Sequence, residues 1–265
     1  MQEKNLTEKD TSIYYKIFGS GEPVVLIHGF GEDSTIWDNM VSGLEKDYFL
    51  IVPDIVGSGQ SKGKVDRISM ESIAEDVNRI LEKENIQSCF MIGHSMGGYA
   101  TLAFAEKFPG KLKGLGLFHS TAYADSEEKK AGRKKNIEFI RKHGAAKFLQ
   151  QATTNLFSES TKTARPDLVT ETVERYSNFS PSSLVAYTEA MMNRRDRTEV
   201  LKNFPKPVLL IIGEYDTAVP IEQSLKLCRI ADFAYIYIAA HSGHLGMLEE
   251  PEFCLKSIQD FLSGK

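Results

Sequence analysis

The chain has 265 residues, of which 42% are hydrophobic and 26% charged, and carries a formal net charge of -4. That length suits an α/β fold of one domain, with or without an insertion, and a mean hydropathy of -0.27 places it among globular proteins and excludes the disordered, fibrous and membrane classes. The charge balance argues against a nucleic-acid partner, which would show as a basic domain with clustered Lys and Arg, and no apolar run approaches the roughly 18 residues of a membrane span.

The start, Met1-Gln2-Glu3-Lys4-Asn5, has no apolar centre of a secretory signal, so a cytoplasmic location is expected. Residues 11–18, Thr-Ser-Ile-Tyr-Tyr-Lys-Ile-Phe, are β-branched and aromatic and end at the turn signal Gly19-Ser20-Gly21, which predicts an antiparallel opening strand. Unalternated apolar runs follow at Val24 to Ile27, Phe49 to Val52, Cys89 to Ile92, Leu115 to Phe118, Val208 to Ile212 and Tyr235 to Ile238. Such runs fit strands covered on both faces, hence a parallel sheet. Helical segments alternate with them at Thr35 to Leu44, Met70 to Asn85, Tyr99 to Phe108, Ile221 to Arg229 and Pro251 to Leu262. The pattern predicts an α/β fold with a doubly wound, mostly parallel sheet, whose functional groups gather at the carboxyl ends of the strands. The three cysteines, Cys89, Cys228 and Cys254, are widely spaced among apolar neighbours and read as buried free thiols, with neither a disulfide framework nor a zinc site.

One interval breaks the alternation. From 121 to about 200 no strand is evident, and helical stretches run over Lys134 to His143, Ala145 to Phe157, Pro166 to Tyr176 and Pro181 to Met192. Ser180 before Pro181 is a helix start, the hydroxyl capping free amides and the proline pre-set for the first helical position. The interval is far longer than a crossover needs, so the division expected is a core of residues 1–120 and 201–265 with an inserted helical lid, or cap, at 121–200.

The chemistry concentrates where the run Cys89 to Ile92 turns into the helix at Tyr99, through Gly93-His94-Ser95-Met96-Gly97-Gly98. In a strand, turn, helix context, Gly-x-Ser-x-Gly bends the chain so sharply that the serine is strained and its hydroxyl exposed. Gly93 and Gly97 flank it where strand and helix approach too closely for a Cβ.

Other marks accompany this elbow: His28-Gly29-Phe30-Gly31 after the first parallel strand, the loop Asp54-Ile55-Val56-Gly57-Ser58-Gly59-Gln60-Ser61, Gly213-Glu214-Tyr215-Asp216, and Gly243-His244 followed by Glu250-Pro251. In this order they resemble the α/β-hydrolase superfamily, specifically its lid-bearing, serine esterase-like members, over about Ile13 to Leu262. Many relatives carry arginine where Val56 stands, a departure that hardly touches the catalytic assignment. The resemblance implies a hydrolase with no cofactor and no metal that cleaves small to medium carboxylic esters through an acyl-enzyme. A serine hydroxyl needs an imidazole to take its proton and a carboxylate to hold that imidazole in the right tautomer. In the chain order Ser, acid, His, these are Ser95 as nucleophile, Asp216 as orienting carboxylate and His244 as general base and then acid.

Glu214 and His241, near neighbours of the last two, are read as bystanders, and Asp54 as a loop-shaping carboxylate. The oxyanion hole is expected from the backbone amides of Phe30 and of Met96, the latter at a helix N-terminus. An apolar acyl pocket is expected from Phe30, Trp37, Met96, Tyr123, Tyr187, Met191, Met192 and Leu245, with His28, His119 and Ser120 lining it without reacting and His28 and His94 held by structural hydrogen bonds beside the chemistry. Carbon–carbon bond hydrolases and cofactor-free haloperoxidases or perhydrolases keep the same triad. Many of the former resemble Gly-Asn-Ser at the elbow, so His94 favours the esterase. Relatives whose nucleophile is a carboxylate or a thiol do not match Ser95. A hydrolase-fold ligand receptor with slow turnover, the alternative from another class, would expose an apolar lid surface, whereas 121–200 is heavily charged.

Overall fold

The structure is a computed structural model that describes residues 1–265. Its strands are β1 (Gln2–Glu8), β2 (Thr11–Phe18), β3 (Glu22–Ile27), β4 (Tyr48–Pro53), β5 (Cys89–His94), β6 (Leu112–Phe118), β7 (Val208–Gly213) and β8 (Ala234–Ala239). Its α-helices are α1 (Asp38–Leu44), α2 (Met70–Lys83), α3 (Met96–Lys107), α4 (Glu127–His143), α5 (Ala145–Leu156), α6 (Glu159–Ala164), α7 (Pro166–Tyr176), α8 (Pro181–Met192), α9 (Thr198–Lys202), α10 (Ile221–Leu227), α11 (Gly246–Glu249) and α12 (Pro251–Ser263). None is long and apolar enough to cross a membrane.

The strands form one sheet in the order β1-β2-β4-β3-β5-β6-β7-β8. Strands β3 to β8 are parallel, and β2 is antiparallel to both β1 and β4. The apolar runs form the parallel strands because helices cover them on both sides. One face packs on α2 and α3, with Met70, Ile73, Val77 and Tyr99 in its core, and the other on α1 and α12, with Trp37, Met40, Ile258 and Phe261. Helix α2 starts on a reciprocal cap, Ser69 accepting from the Ser72 N–H while the Ser72 hydroxyl accepts from that of Ser69.

Two strands depart from the expected pattern. The first, β1, has no apolar run, only the mostly exposed Gln2–Glu8; the ladder to β2 holds it rather than burial. At the other edge, β8 is covered on one face only: Tyr235 and Tyr237 pack edge-on to Phe261 and Phe253 of α12, while Ile236 and Ile238 are 43% and 39% exposed.

Six helices, α4 to α9, and no strand lie between β6 and β7. Helix α4 begins before Lys134, at Glu127, because the Ser126 hydroxyl caps it and Glu127 and Glu128 occupy its first turn; that turn is polar throughout and has no period to read. From β3 the chain moves outward to β4 and then back across to β5. The carboxyl ends of β3 and β5 therefore flank a topological switch point, where open α/β sheets place their ligands.

Candidate active site

Ser95 stands between β5 and α3 with φ 49 and ψ -111, a region that side-chain-bearing residues rarely occupy and that surrounding structure must enforce. The Ser95 N–H donates to the Phe118 carbonyl of β6 at 2.9 Å, and the Ser120 hydroxyl donates to the Ser95 carbonyl at 2.7 Å. A Cβ on Gly93 would fall on the Gly97 carbonyl, and one on Gly97 on the Ile27 carbonyl of β3. The elbow can turn this tightly because both positions are glycine. Within residues 91–100, Ser95 is the one residue that is not fully buried.

Asp216 follows β7 and His244 follows β8 on the adjacent strand ends. His244 Nδ1 donates to Asp216 Oδ2 at 2.7 Å, and Asp216 Oδ1 accepts the N–H groups of Ala218 and Val219, each at 2.8 Å. Burial alone would raise the Asp216 carboxyl, but the His244 and His119 imidazoles outweigh it and hold the group well below the usual carboxylate range. Glu214 and His241 are exposed and take no part in this contact. Ser95 and His244 open on one cavity of about 690 Å³. The Ser95 hydroxyl and the imidazole are not hydrogen-bonded to each other here, a leg that commonly tightens only with substrate in place.

The loop after β3 and the elbow are locked together through buried polar groups. The Ile55 N–H donates to His28 Nε2 at 2.9 Å, which leaves Nδ1 as the protonated nitrogen, and it donates to the Gly29 carbonyl at 2.8 Å. Glu32 accepts the Gly29 N–H at 2.8 Å and His94 Nδ1 at 2.9 Å, and His94 Nε2 lies 3.0 Å from the His244 carbonyl. Burial opposes both charges of this pair, yet each imposes its ionised form on the other: Glu32 is lowered and His94 raised. The Phe30 N–H is left out of the hydrogen bonds of its own loop, and Met96, first residue of α3, has no preceding helical turn to bond.

Sequence reasoning missed the roles of Glu32, His119 and Glu249. Glu249 accepts from Gly243 at 2.8 Å and Leu245 at 3.3 Å with one oxygen and from Ser158 at 2.9 Å with the other; Glu250 accepts from the His241 N–H and the Ser242 hydroxyl. His119 has φ 46 and is fully buried, which lowers its pKa. The Gly246 N–H points to its Nε2 at 3.3 Å, which makes Nδ1 the protonated nitrogen, and Nδ1 faces Asp216 Oδ2 at 3.4 Å, too long for a good hydrogen bond but within electrostatic reach. Ligand atoms of His119, Asp216 and His244 lie within 4.8 Å of one another, close enough to hold a metal ion. Here both rings present N–H groups to the carboxylate rather than lone pairs.

Several expected pocket residues are elsewhere. Phe30 and Met191 line the cavity. Trp37 is fully buried, edge-on to Phe118 at 5.4 Å, and Tyr187 is fully buried with its hydroxyl donating to the Val56 carbonyl at 2.8 Å. Met96 and Leu245 are core residues, and Tyr123 packs against the core and offers its carbonyl to Arg194. His28 and Ser120 shape backbone, and Met192 lies off the cavity wall. Trp37, Met96, Tyr187 and Leu245 are under 2% exposed; packing against neighbouring elements takes these large side chains out of reach of the cavity. The cavity wall is mixed, with seven hydrophobic residues among the twenty that line it. Asp54 shapes its loop, accepting from Ser34 and Gln60. The cysteines are free thiols; Cys89 and Cys254 are buried, with the Cys89 thiol pushed up to about 12 by burial, whereas Cys228 is only half-buried.

The family model for the alpha/beta hydrolase fold matches residues 22–251. A pyrrolizixenacetamide deacetylase from Xenorhabdus hominickii is 26% identical over 255 residues, covering 96% of this chain and 95% of that protein. A 2-hydroxy-6-oxo-6-(2'-aminophenyl)hexa-2,4-dienoic acid hydrolase from Metapseudomonas resinovorans is 24% identical over 287 residues, covering 99% and 96%. Among solved structures, a thermophilic esterase from Thermogutta terrifontis superposes with a TM-score of 0.93 at 28% identity, covering 100% of this chain and 99% of that one. With the family model spanning most of its length, the chain belongs to the alpha/beta hydrolase fold family.

Proposed function

We propose that the protein is a serine hydrolase that cleaves small to medium carboxylic esters through an acyl-enzyme. The observation that carries this reading is the 2.7 Å bond from His244 to Asp216, made by a ring that shares one cavity with the strained Ser95. The Ser95 oxygen attacks the ester carbonyl as His244 Nε2 takes its proton, and Asp216 holds the ring with Nε2 free and stabilises the imidazolium. The tetrahedral oxyanion is met by the Phe30 and Met96 amides, each such donor contributing roughly 2.7–4 kcal/mol to the barrier reduction. Collapse expels the alcohol with the proton from His244; water then attacks the acyl carbonyl, giving its proton to the same nitrogen, and releases the acid and Ser95. The deacetylase and esterase relatives support acyl transfer as the reaction class.

Residues 121–200 act in this reading as a helical cap on a core of 1–120 and 201–265, since Asn136, Leu156 and Met191 bring the insertion to the cavity wall. Ser95→Ala is expected to abolish both burst and steady-state release from p-nitrophenyl butyrate while the circular dichroism spectrum and thermal melt stay as in wild type. Undiminished turnover by that variant would overturn the assignment. Release of both products from a vinylogous diketone, with no ester turnover, would instead move the protein to carbon–carbon bond hydrolysis.

A further inference from the structure

Three cations reach the cavity from the helical insertion: Lys129 and Arg133 on α4, and Arg194 just beyond α8. One buried carboxylate, Asp125, serves both guanidinium groups. Arg194 donates Nη1 to Asp125 Oδ1 at 2.7 Å, and Arg133 donates Nε to Oδ2. Arg194 spends its remaining contacts on the protein, with Nη1 on the Met191 carbonyl at 2.8 Å, Nη2 on the Tyr123 carbonyl at 3.0 Å, and its guanidinium carbon 4.0 Å from the centre of the Tyr99 ring. It is a fixed structural member, with a side chain 3% exposed.

Arg133 is different. Its side chain is 15% exposed, and beyond Nε its one further contact is a 3.5 Å approach of Nη2 to Asp125 Oδ1. Lys129 donates to the Ala218 carbonyl at 2.9 Å and meets no carboxylate. Of the acids on the wall, Glu32 is committed to His94, and Glu128 is exposed. One carboxylate shared by two guanidinium groups leaves a positive charge over, carried by the arginine whose planar N–H donors are still uncommitted. Keeping a half-buried cation without its own partner costs stability, and the arginine fork matches a carboxylate in a two-point contact.

We infer that Arg133 is a specificity residue that binds a carboxylate carried by the substrate, held in place by the Asp125–Arg194 pair and reinforced by Lys129. The substrates this site prefers are then monoanionic half-esters of dicarboxylic acids. The inference rests on the hydrolase reading and names its substrate class.

The test compares kcat/KM for p-nitrophenyl hemisuccinate, hemiglutarate and hemiadipate with that for neutral p-nitrophenyl esters of matched chain length, in wild type, Arg133→Lys and Arg133→Met. Wild type is expected to favour at least one half-ester over its neutral match. The preference should fall by about tenfold or more in Arg133→Met, be partly kept in Arg133→Lys, and shrink in wild type as salt rises. A structural role for Arg133 would lower both substrate classes together and leave their ratio alone. An equal or greater rate on the neutral esters in wild type, or a ratio unmoved in Arg133→Met, overturns the inference while leaving the hydrolase standing. The wild-type comparison decides the matter even if a variant fails to fold. Absence of turnover on both classes would sink the hydrolase reading and this inference with it.

Discussion

Asp216 Oδ2 faces two imidazoles that are not equivalent: His244 at 2.7 Å, which reaches the cavity, and His119 at 3.4 Å, which does not. His119 adds a second N–H dipole to a carboxylate that burial would otherwise protonate, and so helps keep it ionised and aimed at His244. His119→Ala is expected to lower kcat several-fold, as the loss of an N–H dipole 3.4 Å from the carboxylate rather than of a hydrogen bond would do, with little change in KM. Because the carboxyl of Asp216 is depressed in the folded state, its contribution to stability is present above the unfolded value of about 4 and is lost as pH falls toward the folded one. The stability deficit of His119→Ala in urea titrations should therefore be full above about pH 7 and narrow in two steps, first below about 6.5, where the unfolded His119 takes up a proton that its buried folded form refuses, and again below about 4 with Asp216; narrowing confined to the first step would mean that His119 only packs. The three residues of the proposed triad, Ser95, Asp216 and His244, could be picked out in the sequence because each sits in a short motif at a strand end. His119 could not, because its bearing on Asp216 depends on how the ends of β6 and β7 are aligned, where its N–H meets the Ile211 carbonyl at 2.8 Å.

Strands β3 to β7 were legible because burial on both faces demands continuous apolar runs, α2 and α12 because their apolar residues recur at helical spacing, and α3, buried on every side from Met96 to Ala105, because it follows the Gly-x-Ser-x-Gly turn. β1 and the first turn of α4 were not, since a strand held by its ladder and a turn held by its cap are both polar. The loop that carries His244 teaches the same lesson. In the sequence Glu250 counts only as part of the Glu250-Pro251 mark and Glu249 not at all, yet in the fold Glu249 gathers the N–H groups of Gly243, Leu245 and Ser158 around one buried carboxylate. Glu249→Gln keeps the shape but puts an NH2 group against at least one of those donors. Buried donors left facing another donor cost ~1–3 kcal/mol, so a lower melting temperature and a several-fold lower kcat are expected together, read by calorimetry and steady-state kinetics. A normal kcat in a destabilised variant would show that the loop holds His244 without this acid.

At the scale of the molecule, the helical insertion is a closed excursion: the Arg197 N–H at its end donates to the Ala122 carbonyl at its start, at 2.8 Å. It is fastened along a seam as well. The His244 N–H donates to the Leu156 carbonyl at 2.7 Å, the Ser158 hydroxyl to the His241 carbonyl at 2.9 Å, and Arg165 to the Glu249 carbonyl at 2.6 Å. Such a seam leaves almost no mark in sequence, because it is built largely on backbone groups that every residue carries. Its one trace is Gly243, where a Cβ would fall on the Leu156 carbonyl of α5. If insertion and core unfold as one cooperative unit, prying this seam apart destabilises the whole chain and displaces His244 at the same time. Gly132, inside α4 with open space around its Cα, provides the contrast, since Gly→Ala within a helix stabilises by roughly 0.5–1 kcal/mol. Calorimetry should show a single transition that moves down in Gly243→Ala and up in Gly132→Ala, with kcat falling in Gly243→Ala. A Gly243→Ala protein that melts like wild type, or that splits into two transitions, would mean that the insertion sits on the core as a separately folding cap.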